Sequence, residues 1–211
     1  MDPLRFVVHS DYLCPWCYNA AVRIVRLERD YPGAVQFEWR SFLLRPRPSP
    51  GRDLERFRAY TRSWSRPGAE PDSGSFRVWQ GDAGPPSHSI PPHLAAKAAA
   101  SLGEEPFRRM HERLLRAYFA ESRDVTDRET LRSLWRELGL PEEEFGRIDD
   151  PALLRETLAQ HREALEAGVT GVPAVRLVGN DAVIVGAHPL ELYRRWIERT
   201  RAHRDAGGAI A

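Results

Sequence analysis

Asp11-Tyr12-Leu13-Cys14-Pro15-Trp16-Cys17-Tyr18 holds both cysteines of the 211-residue chain, two residues apart. An apolar run, Leu4 to Val8, precedes it, and a helical pattern from about Pro15 to Asp30 follows. Cys14 therefore belongs where a strand hands over to a helix. The free N–H groups of a first helical turn and the positive end of its dipole favour an anion there. A thiol so placed loses its proton more readily, and the thiolate is the reactive form. Pro15 suits the first turn, where its missing N–H costs nothing. Cys17 lies one turn further in, placed to attack a mixed disulfide formed at Cys14. The spacing reads as a dithiol–disulfide site with Cys14 as nucleophile and Cys17 as resolving thiol.

Other uses of the pair fit less well. A structural zinc site needs four ligands. There is no second cysteine pair, and among the seven histidines only His88 and His93, in a Pro-rich loop, come near a ligand spacing. No metal is expected. A purely structural disulfide would close a very small loop, where the constraint on the unfolded chain is least.

Composition sets the frame. Hydrophobic content is 42% and charged content 29%, as in a globular protein. The net charge of +1 gives no bulk electrostatic case for nucleic acid or an anionic membrane. Thirty of the 31 basic residues are arginine, alternating with Glu and Asp as solvated helix faces do. No signal peptide and no membrane-spanning run is visible. A cytoplasmic location is expected, where cysteines are more often catalytic than structural.

Outward from the dithiol, Tyr31-Pro32-Gly33 stops the first helix, and Val35 to Arg40 alternates as a second strand. The β-α-β order implies two parallel strands. Nine of the 17 prolines then fall between Pro46 and Pro92. Residues 66–92 read as a loosely ordered excursion, or as a lid that brings Trp79 over the redox site. Helical patterns follow: Phe107, Met110, Leu114 and Tyr118 share one face. Thr126 with Glu129 matches a capping box ahead of Leu131, Leu134 and Trp135. Leu154, Leu158, His161 and Leu165 mark another packing stripe. Ala174 to Val178 and Ala182 to Val185 flank Gly179-Asn180-Asp181 as a hairpin. A last helix carries Leu192, Tyr193, Trp196 and Ile197.

Cys14-Pro15-Trp16-Cys17 after the first strand, the helical insertion and Thr170-Gly171-Val172-Pro173 before the third strand together resemble the thioredoxin superfamily, and within it the DsbA-like family. Ser10 to Tyr18, Trp39 to Pro46 and Gly186-Ala187-His188-Pro189 are similar to its FrnE-type branch. The resemblance implies an α/β thioredoxin-like fold, βαβ…ββα, from residues 1–44 and 169–203. Residues 45–168 would be an inserted Pro-rich loop and helical subdomain, and 204–211 a frayed tail. It also implies a cis Pro173 facing the CxxC, with Val172 offering its backbone to an extended substrate. Pro15, Trp16, Tyr12, Val172 and Pro173 would then bind substrate. Trp16 stands where periplasmic DsbA has histidine, so a less oxidising pair is expected.

The implied activity is thiol–disulfide exchange on a protein or small-molecule disulfide or dithiol. Glutathione is a possible co-substrate, and no resident cofactor is needed. Monomer and homodimer stay open. A glutathione-dependent isomerase or transferase related to 2-hydroxychromene-2-carboxylate isomerase is the alternative. Those proteins typically carry serine at the nucleophile position. A polyketide-tailoring FrnE-like role and a chaperone-like binding module are further alternatives, and the last would survive Cys14→Ser.

Overall fold

The structure, a computed structural model, describes residues 2–49, 51, 53–180 and 182–207. Strand β1 (Leu4–Ser10) alternates so that Leu4, Phe6 and Val8 face one side. There they pack with Ile24 and Leu27 of α1 (Pro15–Asp30) and Tyr193 and Ile197 of α8 (Leu190–Asp205). Strand β2 (Val35–Ser41) pairs parallel with β1, setting Phe6 opposite Phe37, Val8 opposite Trp39 and Ser10 opposite Ser41. Strand β3 (Ala174–Leu177) lies antiparallel on the other side of β1, followed by β4 (Val183–Val185). The sheet order is β2-β1-β3-β4. Asn180 accepts from the Ala182 amide within the hairpin tip, and Asp181 of that tip lies outside the described residues.

Between β2 and β3 the chain builds a second core. It runs through α2 (Leu54–Thr61), a 3-10 turn (Arg62–Trp64), α3 (Ser65–Gly68), α4 (Ile90–Ala100), α5 (Glu104–Phe119), α6 (Arg128–Glu137), a 3-10 stretch (Glu142–Asp149) and α7 (Pro151–Glu166). Met110, Leu114, Tyr118, Leu131, Leu134 and Trp135 fill this core. Tyr12, Tyr18 and Ala21 join it from the dithiol turn and α1, so that helix serves both cores.

Four expectations are corrected. The Pro-rich segment is neither a loose excursion nor a lid. Trp79 is 1% exposed and sits among Phe57 and Tyr118, with its amide donating to Thr61 Oγ1 at 3.0 Å. Prolines removed regular structure from the segment without removing its anchors, and α2 and α3 within the Pro-rich region were not read at all. Second, Asp127 caps α6, accepting from the Thr130 amide, while Thr126 donates to Asp124. Its carboxylate is the better acceptor for a helix's orphan N–H groups. Third, Leu154, Leu158 and Leu165 of α7 point outward, each at least 37% exposed. Thr157 and Ala164 are the buried positions, small enough to bring the helix close to its neighbours. Fourth, Arg204 and Asp205 still belong to α8, and Arg204 donates to the Asp2 carbonyl. Residues 208–211 of the expected tail lie outside the described residues.

Candidate active site

The strand-to-helix turn is wound on Asp11. The Cys14 amide donates to the Asp11 carbonyl at 3.1 Å, and the Leu13 amide to Asp11 Oδ1 at 2.7 Å. Cys14 is the N-cap of α1, in extended conformation, with Pro15 in the first turn. Its side chain is 5% exposed, Cys17 is fully buried, and no disulfide joins them. The Cys14 thiol donates to the Val172 carbonyl at 3.4 Å. The Val172–Pro173 bond is cis, and the Pro173 carbonyl accepts from the Gly186 amide at 2.7 Å. Cys14, Val172 and Pro173 are thus brought together across 158 residues of chain. Pro15 and Trp16 flank Cys14, half-buried.

The sequence model of the DSBA-like thioredoxin domain matches residues 6–64 and 90–198, most of the chain. This chain belongs to that family. It is 28% identical to a Bacillus subtilis (strain 168) relative named "Uncharacterized protein YwbO", over 90% of this chain and 94% of the relative. Among solved structures, the cytosolic disulfide reductase DsbM of Pseudomonas aeruginosa superposes with a TM-score of 0.74 at 21% identity, covering 96% of this chain and all (100%) of that one. A DsbM structure with GSH also matches, with a TM-score of 0.67. The probable DsbA oxidoreductase SCO1869 of Streptomyces coelicolor gives 0.73 at 25% identity, covering 94% and 90%. A 2-hydroxychromene-2-carboxylate isomerase shares the fold at 0.64 and 16% identity, covering 97% and 98%.

In this DSBA-like protein the two sulfurs differ in their surroundings. Burial pushes the Cys17 thiol well above its ordinary value, and Cys14 beside it pushes the same way. The Asp11 backbone N–H and the Ser10 hydroxyl oppose this by hydrogen-bonding the thiolate. The Asp11 carboxyl, fully buried, is raised to about 6 by desolvation, against bonds from Ser89 and the Leu13 and Leu44 amides. It ties the dithiol turn to the chain leaving β2 and to the start of α4.

Tyr12 is a correction. It was expected to line the substrate groove, yet it is 5% exposed and its hydroxyl shares a 2.8 Å bond with His111 Nδ1. Its ring meets His93 and His111 edge-on. An aromatic with partners on the helical side gains more by burial there than by facing solvent.

Asn19 and Arg23 were missed as anchors. Asn19 donates to the Pro67 carbonyl and accepts from the Gly74 amide, so α1 holds the Pro-rich segment directly. Arg23, 1% exposed, donates to the Ala187 and His188 carbonyls at 2.7 and 2.8 Å and pairs with Glu70. Their signal was faint: each is one polar residue on a helix with a mixed face. A separate cavity of about 1020 Å³ opens between α1, β2, α4 and α5, walled by Val22, Trp39, Phe107 and His111 and by neither cysteine. Among the described residues no group of three or more His, Cys, Asp or Glu is placed to hold a metal ion. No described helix is long and apolar enough to cross a membrane.

Proposed function

We propose that this protein is a thiol–disulfide oxidoreductase acting through Cys14 and Cys17. One observation carries the reading: the Cys14 thiol at a helix N-terminus lies 3.4 Å from the Val172 carbonyl, with Cys17 one turn behind it. A substrate disulfide meeting Cys14 can lay its backbone along Val172 by strand addition, which makes little demand on sequence. The Cys14 thiolate attacks one substrate sulfur, the substrate S–S bond breaks, and the first product leaves as a thiolate that takes a proton. The Cys17 thiolate then attacks Cys14 Sγ, releasing the second product. Two electrons pass from the cysteine pair to the substrate, and the reverse sequence oxidises a dithiol.

Reduction in the cytoplasm is the direction we favour, with glutathione as a thiol partner. The names of the matched Pseudomonas structures, a cytosolic disulfide reductase and its form with GSH, support that choice. Placement in the FrnE-type branch belongs to the same proposal. Trp16 supplies only a neutral indole N–H beside the pair. The midpoint potential should therefore fall nearer thioredoxin's ≈ −270 mV than DsbA's ≈ −120 mV.

The test is insulin reduction by the wild type and Cys14→Ser, with the potential titrated against glutathione. Turnover that vanishes in the variant and a potential near the lower value are expected. Equal activity in the two proteins would refute the oxidoreductase reading, and a potential near −120 mV would refute the reducing direction.

A further inference from the structure

The cavity of about 1020 Å³ between α1, β2, α4 and α5 is not used by the exchange chemistry, and neither cysteine lines it. Its size suits a small molecule. At its inner end lies a chamber of about 30 Å³, room for a group the size of one water. Trp39, Lys97, Phe107 and His111 wall both spaces, so the chamber is the floor of the larger cavity.

That floor carries unsatisfied polar groups. His93 and His111 both line the chamber, 6% and 7% exposed, and Nε2 of each is buried without a hydrogen-bond partner. Such a group is costly to leave unpaired. The two rings are neutral at neutral pH, since burial lowers both to about 3. The Tyr12 hydroxyl lies 2.8 Å from His111 Nδ1, its one hydrogen-bond partner among the described residues. A phenol has a single hydrogen to donate, so that hydrogen goes to Nδ1 and His111 Nε2 carries the ring N–H. A hydroxyl group at the chamber's centre accepts from that N–H, and as both donor and acceptor it serves His93 Nε2 in either tautomer.

The walls above are apolar and flat. Trp39 and Phe107 stand 4.2 and 5.6 Å from the His111 ring, centroid to centroid, and Val22 of α1 completes the slot. The rim holds charges of both signs, and three of its cations are already paired: Arg26 with Asp72, Arg108 with Glu105, and Lys97 with Glu156. A neutral ligand fits these surroundings better than an anion.

We infer that this cavity binds a neutral, planar aromatic compound bearing a hydroxyl group, its ring body against Val22, Trp39 and Phe107 and its hydroxyl between His93 and His111. The site goes beyond the oxidoreductase reading and needs neither sulfur.

The test titrates the whole protein with 2-naphthol and with 2-methoxynaphthalene, which keeps the rings but loses the donor. Saturable binding of 2-naphthol is expected, with the ether weaker by about tenfold, the scale of one hydrogen bond. The imidazole ¹⁵N signals of His93 and His111 should shift on binding, while those of His188, two residues from the Gly186 amide that holds Pro173, should not. Ala100 is an exposed residue of the cavity wall, one turn beyond Lys97 on α4. A side chain there leans back towards Lys97 and the chamber. Ala100→Trp should therefore weaken 2-naphthol about tenfold and leave insulin reduction unchanged. Cys14→Ser should bind as the wild type does. No saturable binding, equal affinity for the two probes, unmoved His93 and His111 signals, or wild-type affinity in Ala100→Trp would each overturn the inference. Loss of binding in Cys14→Ser would overturn it too, by placing the probe in the dithiol groove. A wild type that binds 2-naphthol in this way but reduces no insulin would refute the oxidoreductase reading and leave the cavity site standing.

Discussion

The dithiol turn and the segment from residue 69 to 89 are both short of regular structure and both rich in turn-forming residues. They do opposite work. The turn spends its hydrogen bonds on presenting two sulfurs: Asp11 winds it, and the Val172 carbonyl meets the outer thiol. The Pro-rich segment spends its contacts on packing. Phe76 packs at a tilt against Tyr18 and Phe119, the Arg77 amide donates to the Phe119 carbonyl, and Trp79 closes the helical core. A lack of helix or strand thus says nothing about how firmly a segment is held. The decision lies with where its backbone groups find partners.

Cys14→Ser and Trp79→Ala break this comparison most sharply. Cys14→Ser should abolish turnover while leaving the urea midpoint nearly unchanged, within about 0.5 kcal/mol, because serine keeps a donor toward Val172. Trp79→Ala should lower stability by about 3–5 kcal/mol, the cost of emptying a large core site. The fraction that stays folded should still reduce insulin. If Trp79→Ala instead kills the chemistry of protein shown by circular dichroism to be folded, the segment belongs to the redox site after all.

Asp11 joins the two regions, and pH reads its contribution. Its carboxyl is raised from 3.8 to about 6 in the folded state by burial. Between those values the folded protein binds the proton that the unfolded chain gives up. Stability from this group is therefore greatest below pH 3.8 and falls as pH rises towards about 6. The gap corresponds to about 3 kcal/mol. Asp11→Asn should remove that part of the slope in urea unfolding measured across the window. It should also be less stable at neutral pH, since an amide NH₂ would face the Leu13 or Leu44 N–H. A slope unchanged by the substitution would mean that Asp11 keeps one protonation state throughout.

A smaller effect tests how tightly the segment sits on α1. A Cβ added at Gly74 would come within 2.4 Å of the Tyr18 ring. Gly74→Ala should cost about 1–3 kcal/mol through displacement of that ring. No loss in thermal unfolding would show that the segment can lift from the helix.

Legibility followed periodicity and chemistry. The β1–α1–β2 unit, the hairpin and the dithiol were readable because alternation, Pro-Gly stops and the cysteine spacing all agree over Leu4 to Arg40 and again over Ala174 to Val185. Asn19 and Arg23 were not, because a single polar residue carries no pattern until its partner is known, and those partners lie far along the chain. Tyr12 was misjudged because nearness in sequence to Cys14 was read as nearness to substrate. Its side chain instead follows the opposite face of the turn, towards His111.

The weakest effect belongs to α7, where a helical stripe misled. Leu154, Leu158 and Leu165 repeat at helical spacing, but the buried positions of α7 are Thr157 and Ala164, with Gln160 and His161 bonded on the same side. Gln160 Oε1 accepts from the Ser41 amide and His161 Nδ1 from the Leu43 amide, which fixes the helix by its polar side against the end of β2. Leu158→Ser should therefore change stability by no more than about 0.5 kcal/mol, whereas Thr157→Leu, which must insert bulk at a fully buried position, should cost about 1–3 kcal/mol. Urea denaturation of the two variants reads the difference directly. A large loss from Leu158→Ser that grows with protein concentration would show that the outward stripe is covered by a second molecule, and α7 would then be packed on both faces.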